Sequence, residues 1–205
     1  MLGIDTSQLA SLPVLIEELG ILGTLVVGAR VQAAVSRGEP FSDLPPADDE
    51  RERSSRHQIA PAILLYRQLL LRMDPAEARR IVERAVVEGA VAFLSKSIGP
   101  LERAELEQLD DIERREFVEA RGEKFFNATV RWDTVEPSRV HFTVTYCRFP
   151  SLCAEVGHPE LAPVFCAGDA KFFGTVEPDV VLDRPQTIAG GDSQCIFRLS
   201  WTDSD

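Results

Sequence analysis

Basic residues are in short supply in this chain, and so are cysteine, methionine, tryptophan and tyrosine. Its 205 residues include 22 lysines and arginines against 33 aspartates and glutamates, which gives a formal net charge of -11. Nucleic acids and anionic membrane surfaces are bound through basic patches, so we expect neither as a partner. The four cysteines form no C-x-x-C pair. In a reducing compartment we expect them to act as thiols, ligands or nucleophiles rather than to form disulfides.

Targeting segments and the common catalytic motifs are missing too. Met1–Asp5 has no basic n-region, and the longest apolar stretch, Leu19–Ala29, is shorter than a bilayer span and has charged neighbours. No P-loop, G-x-G-x-x-G, G-x-S-x-G or H-E-x-x-H pattern occurs. The expectation is a soluble, cytoplasmic protein with no membrane partner, and not a serine hydrolase.

What the chain does contain is ordinary for a globular protein, with 44% hydrophobic and 27% charged residues. The patterning indicates an α+β fold, in which N-terminal helices pack on a C-terminal, mostly antiparallel sheet of about four strands with a helical insertion. We expect one compact domain. It would consist of a helical region at 1–124, with a mobile loop at about 37–56, and a cysteine-containing α+β region at 125–205.

The periodicity of apolar residues predicts four helices in the first region, and β-rich segments predict four strands in the second. The helices are expected at Leu9–Val35, at His57–Met73, from Asp74 to the Gly99-Pro100 stop, and at Leu101–Ala120. The strands are expected at Phe126–Trp132, Arg139–Cys147, Val180–Ile188 and Gln194–Trp201, with a helical stretch at Leu152–Phe173 and a hairpin turn at Gly190–Asp192.

The spacing of chemically active residues singles out the last third of the chain. Cys166 and Asp169 are three residues apart on a predicted helix and so share a face. Side chains alternate along a strand, which assigns Cys147 to the same, more polar side as His141. Cys195 shares its side with aromatic and aliphatic residues and is the cysteine most easily explained by packing.

Three interpretations of these cysteines stay open on spacing alone. A thiolate nucleophile needs a neighbouring group that lowers its pKa or orients it, and Asp169 or His141 could do so. Three thiolates with Asp169 or a histidine could also bind zinc or iron. Finally, free cysteines are often small buried hydrophobes with no chemical role.

Several short motifs in this region resemble one known family. They are Phe142-Thr143-Val144-Thr145-Tyr146-Cys147, Gly157-His158-Pro159-Glu160-Leu161, Phe165-Cys166-Ala167-Gly168-Asp169 and Gly191-Asp192-Ser193-Gln194-Cys195-Ile196-Phe197. In order and spacing they are similar to the L-2-amino-thiazoline-4-carboxylic acid hydrolases, over roughly Phe126 to Leu199. The family pattern has an acidic residue after the last cysteine, where this chain has Ile196.

The resemblance implies a cytoplasmic hydrolase that opens the ring of 2-amino-thiazoline-4-carboxylate, or of a related small heterocyclic acid, to a product such as N-carbamoyl-L-cysteine. It implies catalytic roles for Cys147, Cys166, Asp169 and Cys195. No cofactor is required by that chemistry, although zinc or iron would fit if the cysteines were ligands. The last motif also looks like the end of 4-vinyl-reductase-type domains, which implies an alternative: a small-molecule- or metal-binding domain without turnover.

Candidates for binding the substrate come from their proximity to these motifs. His141 precedes Cys147 on its predicted strand, Arg148 directly follows it, and His158 lies in a turn between the motifs. Arg131 and Lys171 are further basic residues nearby that could receive a carboxylate. The expected partner is a small-molecule substrate, and the apolar first helices could pack within the chain or form the interface of a homo-oligomer.

Overall fold

The computed structural model describes residues 9–173 and 179–201, in which seven α-helices and a four-stranded antiparallel sheet are present. The helices are α1 Leu12–Ser36, α2 Glu50–Leu69, α3 Pro75–Ser97, α4 Arg103–Gln108, α5 Asp111–Gly122, α6 Arg148–Glu155 and α7 Ala167–Lys171. The strands are β1 Ala128–Glu136, β2 Arg139–Cys147, β3 Val180–Asp183 and β4 Cys195–Trp201. Two 3-10 helices are also present, at Pro159–Cys166 and Ile188–Gly190. The predicted α+β class, with helices inserted between β2 and β3, is confirmed.

Helix α1 is interrupted at Gly20, whose φ of 69° and ψ of 167° are not helical. Only glycine adopts a positive φ at little cost, which explains the residue type at this break. Just before the break, Glu18 accepts hydrogen bonds from Arg80 of α3 at 2.7 and 2.8 Å, and it is also paired with Arg84. The start of α1 is therefore fixed to α3 by an ion-pair cluster.

The opposite side of α1 is apolar and uncovered. Its exposed residues include Ile21, Leu22 and Leu25, whose side chains are 66%, 79% and 64% accessible. By length and composition alone α1 could cross a membrane, with a mean hydropathy of 1.8 over its best window. Core helices of soluble proteins and signal sequences have the same properties, so this does not establish a membrane span.

Helix α2 begins seven residues earlier than the sequence predicted. Asp49 is its N-cap and accepts a hydrogen bond from the backbone N–H of Glu52 at 2.6 Å, while Glu50 and Glu52 occupy the first turn. Carboxylates are stabilised there by the free N–H groups and the helix dipole. The charged run assigned to a loop at 37–56 thus belongs, from Glu50 on, to a helix.

The predicted helix Leu101–Ala120 is in fact two helices. Asp110 interrupts it and caps α5, accepting hydrogen bonds from the N–H groups of Ile112 and Glu113. The Glu113 side chain in turn accepts from the Asp110 N–H, which completes a capping box. The predicted start and end of α3 agree with its observed bounds, and Asp74 caps it as expected.

The sheet has the order β1-β2-β4-β3, and every neighbouring pair is antiparallel. Strand β2 contains one extra residue, because Val130 of β1 pairs with Val144 whereas the adjacent Thr129 pairs with Tyr146. Thr145 is therefore unpaired, in a β-bulge. Beyond this bulge, the alternation of β2 side chains is shifted by one residue.

Two apolar clusters form the interior. The first lies among α1, α2, α3, α6 and the 3-10 helix Pro159–Cys166, and the second lies on one side of the sheet. Cys147 packs against both clusters, at the junction of the helical and sheet parts. Helix α7 approaches α3 so closely that a Cβ added at Gly168 would lie 2.3 Å from the Cβ of Ala90. A glycine at this position allows the contact.

Candidate functional site

The bulge in β2 sets the orientation of Cys147. Cys147 pairs with Ala128, a buried member of the sheet's apolar cluster, and Val144 pairs with Cys195, another member of that cluster. Paired residues point to the same side of a sheet, so Cys147 and Cys195 face the same side. The sequence-based assignment of Cys147 to the polar side was wrong, because strict alternation fails at Thr145.

Cys166 and Asp169 are brought to this side by the helical insertion. Cys166 is the last residue of the 3-10 helix, and Asp169 lies in the first turn of α7, which rests on α3 through Gly168. Both residues lie on helical structure, but on two consecutive helices rather than on the single helix predicted, because the 3-10 helix ends at Cys166 and α7 begins at Ala167. Each is half-buried.

Arg184 joins these residues from the end of β3. Its Nη1 donates to the Asp169 Oδ2 at 2.6 Å and to the Cys166 carbonyl oxygen at 3.0 Å. Only 17% of the Arg184 side chain and 23% of the Asp169 side chain are accessible, so this ion pair is largely shielded from water. A shielded, hydrogen-bonded pair holds both side chains in a defined position.

The pKa of the Asp169 carboxyl group is raised toward neutral pH. Burial raises the pKa of Asp169 to about 6, and the charge and hydrogen bond of Arg184 lower it only in part. A group with this pKa can both accept and return a proton near neutral pH, which is the property of a general base. Asp169 also interacts electrostatically with Cys147, Cys166 and Cys195. Together with the strand pairing that puts Cys147 and Cys195 on one side of the sheet, this assigns the four residues to one region of the molecule.

The three thiols differ in their hydrogen-bond donors. The Cys147 sulfur accepts from the Asn127 side-chain amide at 3.6 Å, and it lies at the N-terminal end of α6. Burial raises the pKa of the Cys147 thiol, but the Phe149 backbone N–H and the Asn127 amide lower it. Donors and a helix N-terminus stabilise a thiolate, which is the nucleophilic form.

Cys195 and Cys166 have different surroundings. The Cys195 sulfur accepts a hydrogen bond from the Ile188 backbone N–H at 3.2 Å, and Arg184 also favours its thiolate, although burial raises its pKa. Around Cys166, burial and the charge of Asp169 raise the thiol pKa to about 12. Its sulfur lies 4.0 Å from the Ala162 carbonyl oxygen, an acceptor. Cys166 is therefore the least readily ionised of the three.

Cys153, the fourth cysteine, belongs to the helical core. It is completely buried among the residues of the first apolar cluster, and burial raises its thiol pKa to about 12. Its surroundings are those of a small packed hydrophobe.

Neither histidine proposed from sequence lies with Asp169. His141 pairs with Thr134 and Arg198 on the side of the sheet opposite to Cys195. His158 is held between α2 and the 3-10 helix: its Nε2 accepts from the Arg67 Nε at 3.1 Å, and its Nδ1 lies 3.2 Å from a Glu160 oxygen. Since arginine can only donate, Nε2 is the acceptor and Nδ1 carries the hydrogen. Both ring nitrogens of His158 have structural partners.

The basic residues proposed from sequence are also engaged elsewhere. Arg148 is paired with Asp49 at the start of α2 and stacks on the Tyr146 ring, with 5.6 Å between its Cζ and the ring centroid. Arg131 is paired with Asp133, and Lys171 with Glu88. The assignment of Arg148 to substrate binding is therefore not supported by its position. Proximity along the chain did not identify the neighbours of Asp169, because the side chains of adjacent residues leave the backbone in different directions.

Arg184 and Asn127 were missed by the sequence analysis. The predicted third strand extended to Ile188 and placed Arg184 in its middle, whereas β3 ends at Asp183. Asp183, the last residue of β3, pairs with Arg198 in the middle of β4, and because the two strands are antiparallel the chain continues from there toward Cys195. The pairing of these two strands, rather than the sequence around Arg184, brings this residue near a motif cysteine.

Metal binding by these cysteines was one of the open interpretations. Within residues 9–173 and 179–201, no group of three or more histidine, cysteine, aspartate or glutamate side chains is arranged to hold a metal ion.

The comparison with protein families gives one match. A model of the L-2-amino-thiazoline-4-carboxylic acid hydrolase family matches residues 52–199, from α2 to β4, and includes every residue of the candidate site. No curated protein and no solved structure matches the chain. Because the match extends over more than half of the sequence, this chain belongs to the L-2-amino-thiazoline-4-carboxylic acid hydrolase family.

Proposed function

We propose that this protein hydrolyses the ring of 2-amino-thiazoline-4-carboxylate or of a closely related cyclic, amidine-like acid. One observation supports the proposal: the shielded Asp169–Arg184 pair contacts the Cys166 carbonyl, and Asp169 interacts electrostatically with Cys147 and Cys195, in a chain of this hydrolase family. A thiol beside a carboxyl group with a pKa near 6 is suited to attack on an electrophilic carbon followed by proton transfer.

In the proposed mechanism Cys147 is the nucleophile and Asp169 is the base. Asp169 takes the thiol proton as the Cys147 sulfur bonds to the ring carbon between nitrogen and sulfur. The bond from that carbon to the ring sulfur breaks, and Asp169 returns the proton to the departing sulfur. The product of this step is a covalent isothiourea on Cys147, with the ring open.

Water completes the reaction. Asp169, again ionised, takes a proton from water as the water oxygen attacks the same carbon. The bond to the Cys147 sulfur then breaks, the sulfur recovers the proton, and the carbon becomes a urea carbonyl. One water molecule is consumed, and the product from 2-amino-thiazoline-4-carboxylate is N-carbamoyl-cysteine.

The surroundings of the three thiols support Cys147 as the nucleophile. Cys147 has the Asn127 amide and the Phe149 N–H as donors, whereas Cys166 has the Asp169 carboxylate as a neighbour, which opposes ionisation. Cys195, with its single backbone donor from Ile188, would serve to line the site. The competing assignment is Cys166 as the nucleophile, with Asp169 three residues further along the chain as its base.

The test is incubation of the purified protein with 2-amino-thiazoline-4-carboxylate, with N-carbamoyl-cysteine followed by mass spectrometry. We expect product with the wild type and with Cys153→Ala, the matched control cysteine in the core. We expect product to form about 1,000-fold more slowly with Cys147→Ser and about 100-fold more slowly with Asp169→Asn. Binding of such ring acids by the wild type without turnover would overturn the proposal and favour the small-molecule-binding alternative.

A further inference from the structure

Arg184 uses only one of its three guanidinium nitrogens within the protein. Nη1 makes both hydrogen bonds, to Asp169 and to the Cys166 carbonyl. Nε and Nη2 have no hydrogen-bond partner among residues 9–173 and 179–201, and neither is a fully buried atom. A half-buried guanidinium thus presents two free donors beside the candidate catalytic carboxyl.

The two free nitrogens form the edge that matches a carboxylate. Nε–H and the nearer hydrogen of Nη2 point in parallel, and this fork binds both oxygens of a carboxylate at once. The Phe197 ring limits the position of the guanidinium, since its centroid lies 5.5 Å from the Arg184 Cζ. That ring is itself stacked on Phe142, with 4.6 Å between centroids.

Because the protein is acidic overall, a positive group at this site matters for binding an anionic substrate. A chain with a net charge of -11 repels anions in general, so an anionic substrate needs a local positive group. The other basic residues near the motifs are paired with carboxylates away from Asp169: Arg148 with Asp49, Arg131 with Asp133, and Lys171 with Glu88. Arg184, in contrast, is adjacent to Asp169 and Cys166 and interacts electrostatically with Cys195.

We infer that Arg184 binds the substrate's carboxylate through Nε and Nη2 while its Nη1 holds Asp169 in place. The inference rests on the proposed function for the ring chemistry, and it adds that this site selects small heterocycles bearing a carboxylate over their uncharged counterparts. Because the same guanidinium contacts the base and the substrate, binding of the acid would fix the ring relative to Asp169.

The test compares binding of two probes that differ only in the carboxylate, L-2-oxothiazolidine-4-carboxylate and 2-thiazolidinone, by isothermal titration calorimetry. The wild type should bind the acid about 10- to 100-fold more tightly, as expected for a charge-assisted bidentate contact. Arg184→Gln should remove this preference. Arg198→Gln, in which a paired surface arginine of β4 is lost, is the matched control and should keep it.

Arg184→Lys provides a second variant should the glutamine variant fail to fold. Lysine retains the charge and loses the fork, so affinity for the acid should fall about tenfold while affinity for 2-thiazolidinone is unchanged. Equal binding of both probes by the wild type, or an undiminished acid preference in either variant, would overturn the inference. Acid-selective binding that depends on Arg184, without ring opening of any related acid, would instead overturn the proposed function alone.

Discussion

Asp169 Oδ2 and Arg184 Nη1 lie 2.6 Å apart, in an ion pair that connects the first turn of α7 to the end of β3. Although it is paired with a cation, the carboxyl keeps a raised pKa of about 6, because burial outweighs the effect of Arg184. The ionisation of Asp169 should therefore change the activity in a pH range around 6, in which enzyme rates can be measured.

The first prediction concerns the pH profile. If Asp169 acts as the base, kcat/KM for ring opening should rise with pH through about 6 and then level off, since the ionised form is required. Asp169→Asn should lower kcat by about 100-fold or more at neutral pH. A rate that falls as pH rises through 6 would show that the protonated carboxyl is required, which contradicts a base role.

The second prediction from Asp169 is that its ionisation lowers the stability of the fold, although the same ionisation raises the activity. The folded protein holds the Asp169 proton to about pH 6, whereas the unfolded chain releases it near 3.8. The stabilising effect is complete below 3.8 and is lost as pH rises through 6. The free energy of unfolding, measured with urea and compared with Asp169→Asn, should show this loss between the two values. A difference independent of pH would contradict the raised pKa.

A second prediction separates the cysteines. Cys147→Ser should reduce kcat about 1,000-fold or more, because a serine hydroxyl in the same place is a far poorer nucleophile. Cys195→Ser should have a smaller effect and Cys153→Ala almost none. Mass spectrometry after acid quench should detect substrate bound to Cys147. An adduct on Cys166 would instead support the competing assignment.

A third prediction tests the contact that positions Asp169. Gly168→Ala places a Cβ 2.3 Å from the Ala90 Cβ, so α7 must move away from α3. We expect a loss of about 1–3 kcal/mol in unfolding free energy, as for other overpacked sites, together with reduced activity. Adding Ala90→Gly should restore activity by making room for the new methyl group.

The control for this variant is Gly28→Ala in α1. No heavy atom lies within 4 Å of the Cβ that the substitution would add, and the position is helical. It should be neutral or stabilise the protein by up to about 1 kcal/mol. Equal effects of the two substitutions on activity would argue against a role for the α7–α3 contact.

A fourth prediction concerns acid stability and the cluster at the start of α1. Hydrogen bonds from Arg80 and Arg84 lower the pKa of Glu18 to about 2 from an ordinary value of 4.5. This group therefore contributes stability above pH 4.5 that is lost as pH falls toward 2. Glu18→Gln should be less stable than the wild type at neutral pH, and in thermal unfolding the difference should shrink as pH falls from 4.5 and disappear only at about pH 2. A constant difference would show that the ion pair is not responsible.

Much of the architecture could be predicted from the sequence, because it depends on local signals. The caps at Asp74 and Asp110 are readable from residue types, although only the first was used to place a helix end. The charged run after Asp49 was misassigned because side chains typical of a solvated loop are equally typical of a first helical turn. Composition alone does not distinguish these cases.

The candidate site was only partly predictable. The motif residues Cys147, Cys166, Asp169 and Cys195 are found near one another, but their catalytic roles stay a prediction. Arg184 could not be placed because its position depends on where β3 ends, and the end of a strand is set by tertiary pairing rather than by propensity. His141, His158 and Arg148 have partners away from Asp169, because neighbours in sequence need not be neighbours in space, and their role in substrate binding stays a prediction.

The unpaired residue in β2 means that the face on which Cys147 lies is set by how the strand is paired, and not by the identity of the residues before it. A substitution at Thr145, which is exposed, leaves the register of the strand unchanged. Loss of that one residue would remove the bulge, and Cys147, then two residues after Val144, would still face the side of Cys195. Straightening the strand with all its residues kept would instead turn Cys147 to the opposite face, so the unpaired residue and the orientation of the cysteine belong together.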